Sequence, residues 1–404
     1  MDSQYWYLDG EPYDFSGFVD QHPGGRMILL GRGQECRELI ASYHFRKDDQ
    51  FVWRLKRDPQ WRVPGFKYRP VADQFPDPQD DLPYHELRRR VRGALQHGHK
   101  TTTAAVCVAA LTAAVWVWAV ARLDPVPAGL LAGVMVAGIG FQVFHTAAHA
   151  GMSHSARTNE TLAKLSSFVI GWSLNHWLMH HDVLHHANTG DAGPEMSYRE
   201  RARADSDAVR MQRSDAMGHS RTIALLTNYT LHSIGYLRYQ PNSFHNKENQ
   251  VILLNQDPVR MWDSDAVSKA ATLFCFVWVY PRLIGWKGTA AALVSTSLAY
   301  YLNIFYNHDQ QETEANRRTH YDSWADRQIV ESGNVRYSGP WTLFWGGIDY
   351  QIEHHLFPSV HPAHYPRIAP IVRQFAEERG LPYVSNTWTH AVAGYLKFSS
   401  FFSC

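Results

Sequence analysis

The sequence predicts an α-helical membrane protein. Four transmembrane helices carry a cytoplasmic histidine-rich helical cap, and a small α+β domain sits at the amino terminus. Three observations carry this. Charged residues are only 19% of the chain, against roughly 25% in soluble domains. The 14 Trp, 19 Phe and 20 Tyr are a load that suits membrane-interface belts. There are 23 His, and eight of them fall in boxes or at a span end where apolar stretches stop. A mean hydropathy of −0.35 implies a large water-facing part. With 39 Lys plus Arg against 38 Asp plus Glu, net charge is +1, which excludes a globally basic nucleic-acid binder. Cys36, Cys107, Cys275 and Cys404 lie far apart without a CxxC, excluding a disulfide framework and a thiolate zinc site. No basic start followed by an apolar core opens the chain, so no cleavable signal peptide is expected.

Residues 1–69 form the first unit. WYLDG followed by PYDFSGF predicts a short aromatic hairpin with Asp9-Gly10 at its turn. His22-Pro23-Gly24-Gly25 follows: Pro23 fixes the backbone after a ligand histidine, and the two glycines admit a flat ligand. A second isolated histidine is His44. Two neutral imidazoles on opposite faces of one iron would give a six-coordinate haem, suited to electron transfer because no position is open. Residues 70–84, rich in proline and carboxylates, are expected to be a linker.

Residues 85–404 form the membrane body, with spans at about 101–123, 125–144, 266–284 and 288–307. About 20 apolar residues cross a bilayer core. Thr101–Ala121, Pro125–Phe144 and Gly288–Asn307 carry no charge. The third stretch has Lys269 and Arg282 near its ends, placed to snorkel. Tight turns at Arg122–Pro125 and Gly285–Gly288 make two hairpins, so both termini lie on one side. Arg88, Arg89, Arg90, Arg92 and Lys100 precede the first span and place that side in the cytoplasm. The 145–265 segment and the tail from His308 share it.

Three histidine boxes fall just past span ends. His145 and His149 stand at i, i+4, as do His181 and His185, with His186 adjacent; positions at this spacing share one helix face. Gln351, His354 and His355 repeat the arrangement, and His308 ends the fourth span. Imidazole suits iron, copper, zinc and nickel. Seven box histidines plus His308 exceed one ion's needs and match two. Two irons with open positions can activate O2 against an unactivated C–H bond. Gln351 is a candidate weak ligand, water holder or orienter, and with His308 a candidate catalytic residue.

HPGG, LLGRG and SYH over residues 5–57 resemble the cytochrome b5 domain, which implies His22 and His44 as axial haem ligands. GGIDYQIEHHLFPSVHPAHYPRIAPIV (residues 346–372) and WLMHHDVLHHANTG (177–190) resemble the membrane fatty acid desaturase superfamily, specifically its front-end, linoleoyl-CoA desaturase-like group fused to cytochrome b5. That resemblance implies oxygen-dependent di-iron desaturation of an acyl-CoA or acyl-lipid. Electrons would come from an NAD(P)H-dependent cytochrome b5 reductase or a ferredoxin-type donor. It also implies a multi-pass protein of the endoplasmic reticulum in a eukaryote or the cytoplasmic membrane in a bacterium. Two departures stand out. The usual first box is HDxxH, and Thr146 replaces its Asp, so the orienting partner of a ligand must come from elsewhere. Asp182 stands where Asn is usual.

Among other residues, His154, His176 and His180 lie near the boxes but off their spacing. His361 and His364 are expected to brace the tail helix, and Glu353 to pair with a basic residue. Trp172, Trp177, Trp341 and Trp345 are expected to form an interfacial belt, with an acyl-tunnel lining as the alternative. Rival readings are a hydroxylase or acetylenase on the same scaffold, a non-enzymatic haem-binding electron carrier, and a zinc-dependent lipid hydrolase.

Overall fold

The computed structural model describes residues 2, 4–77, 80–170, 174–186, 274–304, 307, 310, 312–313, 321, 323–337 and 339–401. His308, Trp172, the segment Arg199–Asp265, the first part of the third predicted span (266–273) and the side chains of His176 and His180 lie outside the described residues.

The amino-terminal unit is built around the expected hairpin. Strands β1 (Trp6–Leu8) and β2 (Glu11–Tyr13) pair antiparallel. Asp9 and Gly10 turn between them at φ 56° and 76°, as a two-residue hairpin turn requires. Trp6, Leu8, Tyr13 and Phe15 form its apolar core with Cys36 and Val52. Helices α1 (Arg37–Tyr43) and α2 (Phe51–Arg57) complete the unit.

The segment after it is clamped, not loose. Asp80 meets Arg37 at 2.9 Å and Asp77 meets Lys56 at 3.4 Å, while Asp9 bonds both cations. The 70–84 linker is also shorter than expected. Helix α3 (Leu82–Ala94) already takes in Leu82–Tyr84, because the Asp81 side chain accepts from Tyr84 N–H and Pro83 occupies the first turn, positions those residues favour.

The arginines of α3 hold the amino-terminal unit to the body. Asp49 accepts from Arg88 (3.2 Å), Arg89 (2.7 Å) and Arg92 (3.0 Å), and Arg90 meets Glu378 at 2.7 Å. Phe45 enters one core with Tyr84, Leu87, Phe357 and Phe375. The charges taken as an orientation signal thus serve a docking contact.

Two described helices are long and apolar enough to cross a membrane, Thr103–Arg122 and Pro125–Ala148. The first is α4, capped by the Thr102 hydroxyl on Ala105 N–H, with only Thr112 and Ala119 buried. Its exposed Val106, Leu111, Val117 and Trp118 present an apolar outer surface. The second begins as α5 (Pro125–Ile139) and runs as a π-helix through Gly140–His145 to a last turn at Thr146–Ala148. It therefore passes the expected end at Phe144 and carries His145 inside it, with His149 at its C-cap. Helix α6 (Ala156–Ile170) and the short α7 (Leu174–Trp177) follow.

Helix α8 (Tyr280–Ile304) breaks at Gly285 (φ 65°, ψ 170°), where the second tight turn was expected. Beyond the break it packs closely on α5: a Cβ on Gly133 would overlap Ser295 Oγ and the Ala292 carbonyl oxygen, and one on Gly129 would overlap the Gly288 carbonyl oxygen. Small residues at such crossings let backbones approach.

The cap follows with α9 (Trp324–Glu331), strand β3 (Gly333–Val335), α10 (Pro340–Phe344), α11 (Gln351–Leu356), α12 (Tyr365–Glu378), strand β4 (Val384–Asn386) and α13 (Trp388–Phe401). Strands β3 and β4 pair in parallel.

Because that crossing has no room for a larger side chain, Gly133→Leu should force α5 from α8. We expect a loss of about 1–3 kcal/mol, typical of overpacking, seen as a lowered melting temperature of the detergent-solubilised protein. Gly93→Leu, where a Cβ meets nothing, is the control and should leave it unchanged.

Candidate metal centre

Seven histidines from three distant segments meet in the cap. His145 and His149 come from the end of the second span, His181, His185 and His186 from the next helical stretch, and His354 and His355 from α11. One donor atom each of His145, His149, His181 and His354 lies within 4.8 Å of the others. His145 Nε2 stands 3.0 Å from His181 Nε2, which stands 3.2 Å from His186 Nε2. His355 Nε2 lies 3.1 Å from His185 Nε2. The His186 ring stacks on His355 at 4.3 Å between centroids, which joins the two groups.

The backbone that presents the second box departs from expectation. Leu178–His186 is π-helical, so the α-helical i, i+4 rule does not govern it. A π-helical hydrogen bond spans five residues, one more than in an α-helix, and His186 lies against His181 five positions before it. The first box keeps its α spacing at His145–His149, where His149 N–H donates to the His145 carbonyl at 3.2 Å.

Three of the rings, those of His149, His354 and His355, are held from behind at Nδ1. His355 Nδ1–H donates to Gln328 Oε1 at 2.8 Å, and the same amide donates from Nε2 to the His186 carbonyl at 3.3 Å. Gln328 is wholly buried; no sequence motif marks it. Asp182 Oδ1 lies 3.3 Å from His149 Nδ1, so the carboxylate missing at position 146 arrives from the second box. Burial holds the Asp182 carboxyl well above the usual range. The Tyr43 hydroxyl, from the amino-terminal unit, stands 2.7 Å from the same His149 Nδ1.

The donor set fits metal ions. Burial lowers His181 well below its ordinary value, and the neutral imidazole is the metal-binding form. With Nδ1–H donated to the Tyr43 oxygen at 2.7 Å, His149 keeps its lone pair on Nε2, and that buried atom has no hydrogen-bond partner among the described residues. His145 Nδ1 is also buried without one. Such atoms cost about 1–3 kcal/mol each when left unsatisfied, a cost that coordination removes.

Several expectations change here. Gln351 is buried and its Oε1 accepts from Asn307 Nδ2 at 3.1 Å. Glu353 accepts from Tyr383 and Asn334, both at 2.8 Å, and from no basic side chain among the described residues, and burial raises it to about 7. Trp177 is not in an interfacial belt but stacks on His181 at 4.2 Å. Trp341 is exposed, and Trp345 packs between Phe141 and Phe344. His361 and His364 do brace the tail: His361 Nδ1 accepts from Ala363 N–H and His364 bonds the Lys100 carbonyl. His154 packs on His99 at 5.1 Å.

In the amino-terminal unit, His22 and His44 face each other at 5.8 Å between ring centroids. Nδ1–H of each donates to a carbonyl, Gly25 at 3.0 Å and Ile40 at 2.8 Å. Both therefore keep the lone pair on Nε2, the tautomer an iron ligand needs. Pro23 and Gly24 follow His22, and a Cβ on Gly24 would press the His22 ring. Gly25 has φ 61°, a conformation that favours glycine. Burial lowers both imidazoles, His44 to about 4.

Comparison with known proteins agrees with the cap. Residues 121–387 match the family described as fatty acid desaturase. The chain is similar to the acyl-lipid (7-3)-desaturase, chloroplastic, of Chlamydomonas reinhardtii, at 28% identity over 93% of this chain and 75% of that protein. It is also similar to the acyl-lipid (7-3)-desaturase of Rebecca salina (26%, 92% and 84%). A third relative is the delta(8)-fatty-acid desaturase 2 of Arabidopsis thaliana (23%, 95% and 86%).

Two outcomes are expected. Gln328→Ala should weaken metal retention about 10–100-fold, as loss of a ligand's orienting partner does, read by metal analysis after graded chelator dialysis. Separately, His44 at about 4 when folded and 6.5 when unfolded makes the unfolded chain bind more protons between these values. Stability of the haem-free protein is then full above pH 6.5 and falls as pH drops towards 4. His44→Asn should flatten that part of a melting-temperature profile; an unchanged slope would count against it.

Proposed function

The chain belongs to the fatty acid desaturase family, and from that membership we propose that it desaturates a fatty acyl chain in the front-end manner, using two non-haem irons, O2 and a built-in haem donor. The convergence of seven imidazoles from three distant segments carries the proposal. His145, His149, His181, His185, His186, His354 and His355 are the residues to hold the metals, with His308 and Gln351 added from the spacing of their motifs. When bound, the two irons supply the oxygen activation that removes hydrogen from an unactivated C–H bond.

The residues themselves do the rest. Asp182, Gln328 and the Tyr365 hydroxyl, 3.3 Å from His354 Nδ1, fix ring orientation. Trp177, Phe144 and Phe141 pack around His145 and exclude water. Gln351 tunes one metal: its oxygen is engaged by Asn307, so it contributes less than a histidine would at that position.

His22 and His44 are the residues that would hold haem b, which would supply single electrons from an NAD(P)H-dependent reductase or ferredoxin-type donor. Four spans with both termini cytoplasmic complete the reading. It is supported by two apolar helices joined at a tight turn and by the break at Gly285. The substrate is an acyl-CoA or acyl-lipid; the relatives' names favour the acyl-lipid.

The test is expression with a reductase, feeding of labelled acyl chains and location of any new double bond by mass spectrometry. A new double bond on the carboxyl side of an existing one is expected; a hydroxylated product instead would overturn the assignment. Purified active protein should hold two irons besides haem iron. Gln351→Ala should lose most activity and keep most metal, whereas His355→Ala should lose metal as well. Parental activity in Gln351→Ala would return that residue to the scaffold.

A further inference from the structure

Tyr43 and His44 are consecutive, and each faces a different candidate site. His44 faces His22 across 5.8 Å. Tyr43, the last residue of α1, brings its hydroxyl to 2.7 Å from His149 Nδ1. Successive side chains on a helix diverge by about 100°, so one turn can address both sites at once. Contacts from the body hold this turn in place. Ser359 Oγ donates to the Tyr43 carbonyl at 3.4 Å. Phe45 packs edge-on against Phe357 at 5.7 Å. Arg46 Nε donates to His99 Nδ1 at 3.1 Å. The Asp49 clamp lies a few residues further on.

We propose that Tyr43 is a positioning residue for electron delivery, joining haem-binding His44 to metal-binding His149 through one peptide link, a phenol ring and a single hydrogen bond. The inference rests on the assignment of haem and irons made under Proposed function. The amino-terminal unit is then a fixed donor, seated at the metal centre, and not a tethered one that must find it. In each transfer one electron leaves ferrous haem, which becomes ferric, and one ferric ion of the centre becomes ferrous. No covalent bond forms or breaks, and Tyr43 itself is not oxidised. The haem is re-reduced by a flavin-containing pyridine-nucleotide reductase.

The test uses the full-length protein in nanodiscs, loaded with haem and iron and kept anaerobic without acyl substrate, so that no turnover contributes. A ruthenium photosensitiser reduces the haem in a flash, and decay of the ferrous-haem absorbance reports electron transfer onward. Tyr43→Phe should keep the parental haem spectrum, haem midpoint potential and metal count while this decay slows at least tenfold. Tyr43→Leu, which also removes the ring, should slow it further. Parental decay in Tyr43→Phe, or a slowed decay explained by lost haem, lost metal or a shifted potential, overturns the proposal and leaves Tyr43 a packing residue. A parental protein that binds haem and two further metals yet shows no onward decay overturns it too. One that binds no haem, or no further metal, defeats the functional reading and this inference with it.

Discussion

Buried imidazoles set the terms for the whole cap. Nε2 atoms stand 3.0–3.2 Å apart in three pairs, and in neutral rings a nitrogen without a proton presents a lone pair. Two lone pairs at that distance repel, so each contact needs a proton or a cation between. A shared proton serves one pair, whereas a cation serves several lone pairs at once. The rings must also be prevented from rotating away, and this is where Gln328, Asp182, Tyr365 and Tyr43 act. They come from α9, the second box, α12 and the amino-terminal unit, so the cluster is complete only when all four are in place.

The membrane body is shaped to deliver those rings to one point. Gly129 and Gly133 let α5 lie against α8, which fixes the end of the second span and with it His145 and His149. The α-to-π change at Gly140 occurs where a Cβ would overlap the Tyr300 hydroxyl. On the other side, Asp49 gathers three arginines of α3 while Phe45 enters the cap core. Packing and charge thus agree on one placement of the amino-terminal unit, and that placement brings Tyr43 to His149.

Much of this was legible in the sequence because it is local. The Asp9-Gly10 hairpin, the α4–α5 turn and the helical third box follow from turn chemistry and periodicity over a few residues. What was not legible depends on partners far away in the chain. The π-helix at Leu178–His186 has no composition signal, and without it His186 reads only as a neighbour of His185. Gln328 looks like one polar residue on an amphipathic helix until α9 is laid beside α11. The docking role of the α3 arginines was hidden because their acceptor, Asp49, lies about 40 residues earlier. Trp177 reads as interfacial until its neighbour is known to be His181.

The exchange between positions 146 and 182 shows how such a site can keep its chemistry while its motif changes. Thr146 turns its hydroxyl to the Phe141 carbonyl at 3.3 Å, so it serves its own helix and orients no ring. A ligand histidine still needs an acceptor behind it to hold its tautomer. Asp182 is wholly buried and lies 3.3 Å from His149 Nδ1, so a carboxylate stands beside that ring from another segment, while the Tyr43 hydroxyl makes the hydrogen bond at 2.7 Å. A buried carboxylate is costly alone, and its cost falls beside a ring whose far nitrogen faces a cation. On the proposed metal-bound reading, the acid at position 182 would be coupled to the occupancy of the site beside it. An asparagine there would carry no such coupling, and with Thr146 in the first box it would leave His149 without a carboxylate behind it.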